Sequence, residues 1–201
     1  MRQRKAKQRF GCWLGIHLLL LSTFPCQITA ADKLVALYSA HAVPYAMPWV
    51  AEELGLFKKY EIDFDFVYIP SSSTATAAIL GNNVEVGLLG GVGIVNAYIN
   101  GATDLVFIGS IKNIMTQSIL AKPEITRLEQ LRGKRIGVTR IGSNTHFFTV
   151  QAFRRAGMNV EKDITFIQTG GETETLGALV SGRIEAATLL PPTDGRAIAQ
   201  G

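Results

Sequence analysis

Cysteine and histidine are scarce in this chain of 201 residues. Its two cysteines, Cys12 and Cys26, both precede residue 31, and only two of its three histidines, His41 and His146, follow it. If the N-terminal segment is removed, the mature protein has no thiol, which excludes disulfides, zinc–thiolate sites and cysteine nucleophiles. Two histidines without a nearby acidic cluster at ligand spacing do not predict a metal site. We expect no cofactor.

Motifs of catalysis are missing as well. The sequence contains no G-x-S-x-G elbow and no H-E-x-x-H helix. The glycine-rich turn at residues 90–93 lacks the Lys-Ser/Thr pair of a P-loop. The acidic residues are mostly spread over predicted helices and turns, as on solvated faces. We therefore expect a binding protein and not an enzyme.

The N-terminal segment has the order of a secretory signal peptide. Residues 1–9 carry five basic and no acidic side chains, residues 10–24 are almost wholly apolar, and small residues follow Pro25. The apolar run is shorter than the roughly 20 residues of a membrane-spanning helix. We predict cleavage after Ala30 or Ala31 and a periplasmic or extracytoplasmic mature protein. An uncleaved N-terminal anchor is the alternative.

The positive charge of the chain belongs to this N-terminal segment. The whole sequence has 20 basic and 16 acidic residues, a net charge of +4, but five basic residues lie in residues 1–9 and every acidic residue lies after residue 31. The mature part therefore has 15 basic and 16 acidic residues, a net charge of −1. This balance, without a basic and aromatic face, argues against nucleic acid as a partner.

Beyond residue 31, apolar runs of strand length alternate with helical patterns. Residues 62–69 alternate apolar and polar side chains, as a half-buried strand does. Strands separated by helices indicate parallel pairing and an α/β fold. The predicted strands are 34–38, 62–69, 84–90, 105–111, 118–121, 135–140, 163–169 and 184–190, and the predicted helices are 47–60, 71–80, 92–100, 145–157 and 172–182.

Two blocks of sequence lie 100 residues apart and resemble each other. Residues 77–87 (AAILGNNVEVG) and 177–187 (GALVSGRIEAA) each contain a predicted helix end, a glycine-containing turn and a strand, and Glu85 matches Glu185. One interpretation is that the chain has two lobes of similar build. The other is that any two helix–turn–strand units look this alike.

Polar residues follow several predicted strands, at the position where open α/β sheets bind ligands. The turn at residues 143–146 also precedes a helix, whose first N–H groups and partial positive charge suit an anion. A helix cap or a surface loop is the alternative interpretation at each position. The candidate ligand-binding residues are Ser39, His41, Tyr45, Ser72, Gly91, Ser143, Asn144, Thr145, His146 and Thr193.

The order of several segments resembles a known family. These segments are PYAMPWVAEELGLFKKYEIDFDF, ILGNNVEVGLLGG, LRGKRIGVTRIGSNTHFFTVQAFRRAGMN and ETLGALVSGRIEAATLLPPT. Over residues 33–196 the chain is similar to the periplasmic solute-binding proteins of ABC importers, in the nitrate/sulfonate/taurine group that also includes binders of pyrimidine precursors. The resemblance implies a two-lobed type II fold that closes by hinge motion around its ligand. It places the loop after the first strand, Gly91 and residues 143–146 at the cleft.

The resemblance also implies a division of the chain. Residues 1–31 are the signal peptide, residues 32–117 the N-terminal part of lobe 1, and residues 118–201 the hinge crossover and lobe 2. Family members continue through a second crossover that completes lobe 1. We therefore expect the chain to be truncated at its C-terminus.

The expected function is that of the extracytoplasmic substrate-binding component of an ABC transporter. Such a protein is a monomer that captures a sulfonate, nitrate, taurine or pyrimidine-like solute and presents it to a membrane permease. One alternative is an enzyme on the same scaffold that acts on a pyrimidine or menaquinone precursor, with His41 or His146 as its acid–base group. A sensory ligand-binding domain is another.

Overall fold

Two β-sheets organise the structure. The computed structural model describes residues 31–200, so the features predicted for residues 1–30 lie outside the described residues. The first sheet contains β1 (Asp32–Tyr38), β2 (Ile62–Tyr68) and β3 (Val86–Leu88); the second contains β4 (Ser118–Ala121), β5 (Lys134–Val138), β6 (Ile164–Gln168) and β7 (Ala186–Leu189). Together with the helices between them, these sheets confirm the predicted α/β fold. The division into lobes at residues 117 and 118 falls between the sheets and stays a prediction.

The first sheet has the strand order β2-β1-β3, and its strands are parallel. Its central strand β1 pairs along its whole length with β2 and ends in the buried residues Ala36, Leu37 and Tyr38. Parallel strands need crossover connections, and helices supply them. These helices are α1 (Met47–Glu53) and α2 (Leu56–Lys59) between β1 and β2, α3 (Ser72–Leu80) between β2 and β3, and α4 (Gly91–Ile99) after β3.

The second sheet has the strand order β4-β7-β5-β6, in which only β4 is antiparallel to its neighbour. Its helices are α5 (Asn144–Arg155) and α6 (Val160–Asp163) between β5 and β6, α7 (Glu172–Val180) between β6 and β7, and α8 (Thr193–Ala199) after β7. Within residues 31–200, no helix has the length and apolar character that crossing a membrane requires.

Each of the two sheets contains the same pair of hydrogen bonds, and the residues that form them differ in number by 100. The Glu85 N–H donates to the Val35 carbonyl at 3.1 Å, and its carboxylate accepts from the Val35 N–H at 3.0 Å. Glu185 makes the same two contacts with Arg135, at 3.0 and 2.8 Å. Chance likeness of two helix–turn–strand units does not predict matched side-chain contacts. The structure therefore supports the interpretation that the two units share one build.

Two predicted elements differ from the structure. The helix predicted over residues 47–60 is interrupted at Gly55, whose φ of +66° lies in the left-handed region. The strand predicted over residues 105–111 is wrong, since these residues form no strand. A strand requires a neighbour that pairs its backbone groups, and composition does not reveal whether one is present. Val106 and Ile108 are instead 78% and 82% exposed.

Apolar side chains cover both faces of the second sheet. On one face, the fully buried Phe153 of α5 packs with Ile136 and Met158. On the other face, Ile184 and Leu189 pack with residues of α7 and α8. The first sheet has a smaller cluster, formed by Leu37, Ala75 and Val84. The second sheet therefore holds most of the buried apolar side chains of the described residues.

We expect Phe153→Ala to lower the free energy of unfolding by about 3–5 kcal/mol, because it removes a fully buried ring and leaves a cavity. Phe147→Ala is the matched control on the same helix. The Phe147 side chain is 41% exposed, so its loss should cost about 1 kcal/mol or less. Urea unfolding measures both variants, and equal losses would contradict this account of the core.

Candidate ligand-binding site

Loops that follow the strands of both sheets border one cavity of about 1090 Å³. Ser39 follows β1, Gly90 lies beyond β3, Thr139 follows β5 and Leu190 follows β7, and all four line the cavity. The loops that follow parallel strands lie together at the carboxyl ends of the strands, and open α/β sheets bind ligands there. The cavity therefore lies at the position that the fold favours for a ligand.

The wall of the cavity has a polar part and an apolar part. Strand ends and helix starts form the polar part, which includes Ser39, Tyr45, Ser72 and Thr145. Strand β3 and residues 105–115 form the mostly apolar part, which also contains Ser110, Lys112 and Asn113. A Cβ atom built on Gly91 would lie 3.4 Å from the ring of Phe107, so the two parts meet at the start of α4.

Four helices begin at the cavity. Their first residues, Ser72 of α3, Gly91 of α4, Asn144 of α5 and Glu172 of α7, all line it. Helix α5 is capped by the Ser143 hydroxyl, whereas α3, α4 and α7 have no side-chain cap. The first N–H groups of an uncapped helix are free donors with a partial positive charge. The start of α3 thus suits an electron-rich oxygen of a ligand. At the start of α4, the Val92 N–H already donates to the Asn144 side chain.

Asn144, the first residue of α5, links the start of its own helix to the starts of α3 and α4. Its backbone N–H donates to the Ser72 hydroxyl at 3.0 Å, and its side-chain oxygen accepts from the Val92 N–H at 3.1 Å. Gly90 gives this side chain room, since a Cβ atom there would lie 2.1 Å from the Asn144 side chain. We call residues 31–117, which contain the first sheet, the first unit and residues 118–200, which contain the second sheet, the second unit. A residue of the second unit therefore binds the starts of α3 and α4 in the first unit.

Buried hydroxyl groups fix the start of α5. The Thr139 hydroxyl donates to the Ser143 hydroxyl at 3.1 Å and lies 3.0 Å from the Thr145 hydroxyl. The Thr139 N–H also donates to the Thr145 hydroxyl, at 3.1 Å. Ser143 is buried and does not line the cavity. Its hydroxyl serves as a cap, and the network orients Asn144.

The two histidines of the described residues lie outside the cavity wall. His41 is exposed and packs against Tyr68, with ring centroids 4.1 Å apart. His146 accepts a hydrogen bond from the Gly142 N–H at Nδ1 (3.3 Å) and packs against Phe166. Burial lowers the pKa of His146, which favours the neutral imidazole. Residues 31–200 contain no group of three or more acidic, histidine or cysteine side chains placed to hold a metal ion.

The structure brings together six of the ten residues predicted to bind ligand. Ser39, Tyr45, Ser72, Gly91, Asn144 and Thr145 line the cavity, whereas His41, Ser143, His146 and Thr193 do not. Thr193 is buried as the first residue of α8, and its N–H donates to the Leu190 carbonyl at 2.8 Å. Ligand binding by these residues stays a prediction.

Glu172 is a buried acid at the cavity that is not among the ten predicted ligand-binding residues. Its side chain is 4% exposed, and its carboxyl accepts a hydrogen bond from the Leu190 N–H at 3.2 Å. Burial raises the pKa of Glu172 to about 7; the Leu190 N–H lowers this pKa and Asp194 raises it. One signal was present in the sequence, because Glu172 follows two glycines after a predicted strand, as other residues of the cavity wall follow strand ends.

Gln117 and Lys112 are two further polar side chains of the cavity wall. Gln117 lines the cavity, and its side-chain oxygen is buried without a hydrogen-bond donor among the described residues. Lys112 also lines the cavity, and its ammonium donates to the Thr116 hydroxyl at 2.7 Å. Burial lowers the pKa of Lys112. No sequence signal marks Gln117, which directly precedes a predicted strand.

Two sheets with a cavity at their strand ends define a periplasmic-binding-protein-like fold. A family model described as "NMT1/THI5 like" matches residues 44–196, and the chain belongs to this family. The predicted resemblance is thereby confirmed at the level of this family and of the periplasmic-binding-protein-like fold. A search of curated proteins by sequence finds no match.

Solved structures of binding proteins share the fold. The alkanesulfonate-binding protein SsuA from Xanthomonas axonopodis pv. citri, bound to MOPS, is 19% identical, with 85% of this chain and 58% of that chain covered and a TM-score of 0.70. The periplasmic nitrate-binding protein NrtA from Synechocystis PCC 6803 is 16% identical (85% and 50% covered, TM-score 0.68). The periplasmic aliphatic sulphonate binding protein SsuA from Escherichia coli is 21% identical (85% and 55% covered, TM-score 0.61). The chain thus spans about half the length of these proteins.

We expect Gly90→Ala to lower the free energy of unfolding by about 1–3 kcal/mol, because the new methyl group overlaps the Asn144 side chain. In an Asn144→Ala background the cost should fall by about 1 kcal/mol or more. Gly177→Ala, in the interior of α7 with open space around its Cβ position, is the control and should stabilise by about 0.5–1 kcal/mol. Urea unfolding of the four variants gives the coupling, and an equal cost in both backgrounds would contradict the contact.

We expect Glu172→Gln to stabilise the protein increasingly as the pH rises. The folded-state pKa of about 7 exceeds the ordinary value of 4.5. The contribution of this acid is therefore complete below pH 4.5 and is lost as the pH rises through 7. Between about pH 5 and pH 8 the advantage of the variant in unfolding free energy should grow, by about 3 kcal/mol at most. Glu174→Gln, an exposed acid of the same helix, should show no such growth.

Proposed function

We propose that this chain is the extracytoplasmic solute-binding component of an ABC importer. In this proposal the signal peptide of residues 1–31 exports it, and the mature chain acts as a monomer. It binds a small solute in the cavity between the two sheets and presents that solute to a membrane permease.

The observation that carries the proposal is the cavity of about 1090 Å³ at the strand ends of both sheets. Its wall combines groups from the two units, which meet at Asn144. Ser39 and Tyr45 come from the first unit, and Thr145 and Glu172 from the second. A ligand that contacts both groups of residues would stabilise the arrangement in which the units are close together.

The position of the histidines favours binding over catalysis. An enzyme on this scaffold would use His41 or His146 as its acid–base group, and a general acid or base must lie within hydrogen-bonding distance of the substrate. Both side chains lie outside the cavity wall. The hydroxyl and N–H groups that do line the cavity suit the recognition of a solute.

The solute class follows from the same groups. The uncapped start of α3 offers N–H donors, and Lys112 is a cation in the cavity wall. Two of the solved structures that share the fold are an alkanesulfonate-binding protein and a nitrate-binding protein. We therefore propose a small sulfonate, nitrate, taurine or pyrimidine-like compound as the solute of this chain.

We expect at least one solute of this class to raise the melting temperature of the purified protein. A solute present at about 100 times its dissociation constant stabilises the folded state by about 2.7 kcal/mol, which corresponds to about 5–10 °C. Thermal shift with nitrate, ethanesulfonate, taurine and 4-aminopyrimidine tests this, with sodium chloride at equal ionic strength as the control. No shift with any of the four would count against the proposed function.

A further inference from the structure

Two buried side chains that can accept hydrogen bonds line the same cavity, those of Gln117 and Glu172. In the antiparallel pair of β4 and β7, Ser118 lies opposite Leu189. Continued by one residue, this register brings the backbone of Gln117 opposite Leu190, whose N–H binds the Glu172 carboxyl at 3.2 Å. Leu190 thus connects the strand end that carries Gln117 with Glu172.

Among the described residues, one of these acceptors has no donor and the other has one. The Gln117 side-chain oxygen is buried and accepts no hydrogen bond from residues 31–200. The Glu172 carboxyl accepts the hydrogen bond from Leu190, and a carboxylate has about four acceptor positions. Buried acceptors are ordinarily satisfied. The Gln117 oxygen therefore lacks a partner among the described residues, and the Glu172 carboxyl can accept further hydrogen bonds.

No cation of the described residues neutralises Glu172. The ion pairs found in residues 31–200 involve other acids. The titratable groups that act on Glu172 or are acted on by it are Asp194 of α8, Tyr45 after β1 and Tyr68 at the end of β2. The ammonium of Lys112, from the segment on the apolar side of the cavity, donates to Thr116. An ionised Glu172 would thus take its counter-charge from the solute.

We infer that Glu172 and Gln117 form a specificity-determining subsite for an N–H donor of the solute, so that the preferred solutes carry an amino group. This inference rests on the proposed function and narrows its solute class. The shared chemistry is a nitrogen that donates hydrogen bonds, either an aliphatic ammonium or an amino group on a heteroaromatic ring. Solutes without such a nitrogen, such as nitrate or a simple alkanesulfonate, leave the two acceptors unpaired.

The two classes of solute have opposite pH dependence. An ammonium group pairs best with ionised Glu172, so its affinity should rise as the pH rises through the pKa of about 7. An oxyanion beside Glu172 requires the carboxyl to be protonated, so its affinity should fall over the same range. Tyr68, whose pKa is raised to about 12, stays neutral throughout.

Matched pairs of probes test the subsite by isothermal titration calorimetry at about pH 8. Taurine and ethanesulfonate differ by one amino group, as do 4-aminopyrimidine and pyrimidine, and the two pairs distinguish the aliphatic from the aromatic source of the N–H group. We expect the amino member of at least one pair to bind at least about tenfold more tightly than its partner. Glu172→Gln should reduce this preference at least about tenfold and remove its pH dependence.

Two further variants separate recognition from folding. Gln117→Leu removes a buried acceptor without a donor, so we expect it to keep the melting temperature of the unliganded protein and still weaken the amino preference several-fold. Glu174→Gln changes the same charge two residues away on an exposed side chain and should leave the preference unchanged. Equal affinity within both pairs, or a preference that Glu172→Gln leaves intact, would overturn the subsite alone. Binding of none of the four probes would overturn the subsite, and, if nitrate also fails to bind, the proposed function together with it.

Discussion

The contacts of Asn144 are the interactions on which the cavity depends. Without them, the starts of α3 and α4 in the first unit and the start of α5 in the second would have no polar link at this point. This link requires that the start of α5 hold Asn144 in place and that the start of α4 leave space for the Asn144 side chain. Ser143 and its buried hydroxyl neighbours supply the first, and Gly90 supplies the second. Local helix capping in one unit thus sets the geometry of a wall that both units share.

The repeat at 100 residues explains why the wall is built from equivalent loops with different chemistry. The loop before α3 and the loop before α7 occupy the same place in their units, but the first begins its helix with Ser72 and the second with Glu172. Neither helix start has a side-chain cap, but a serine hydroxyl can donate a hydrogen bond, whereas a carboxylate only accepts. One framework therefore presents different side-chain chemistry at two equivalent places in the cavity wall.

Local sequence patterns predicted those parts of the structure that depend on interactions between residues close together in the chain. The alternation of residues 62–69 predicted β2, and the position after a strand or before a helix identified Ser39 and Asn144 as residues of the cavity wall. Long-range pairing decided the rest. Residues 105–111 have a strand composition but no strand neighbour, and β3 remains at the edge of its sheet. Gln117 enters the cavity through the register of β4 against β7, which no local pattern encodes.

The charge of Glu172 depends on opposing influences, of which burial is the largest. Burial favours the protonated acid, and Asp194 adds to this effect. The Leu190 N–H favours the carboxylate, as does the partial positive charge at the start of α7, where Glu172 is the first residue. The resulting pKa of about 7 leaves both forms populated near neutral pH. Because neither form dominates, a ligand group placed beside this carboxyl needs little free energy to select one of them, so the bound solute itself sets the charge of this wall.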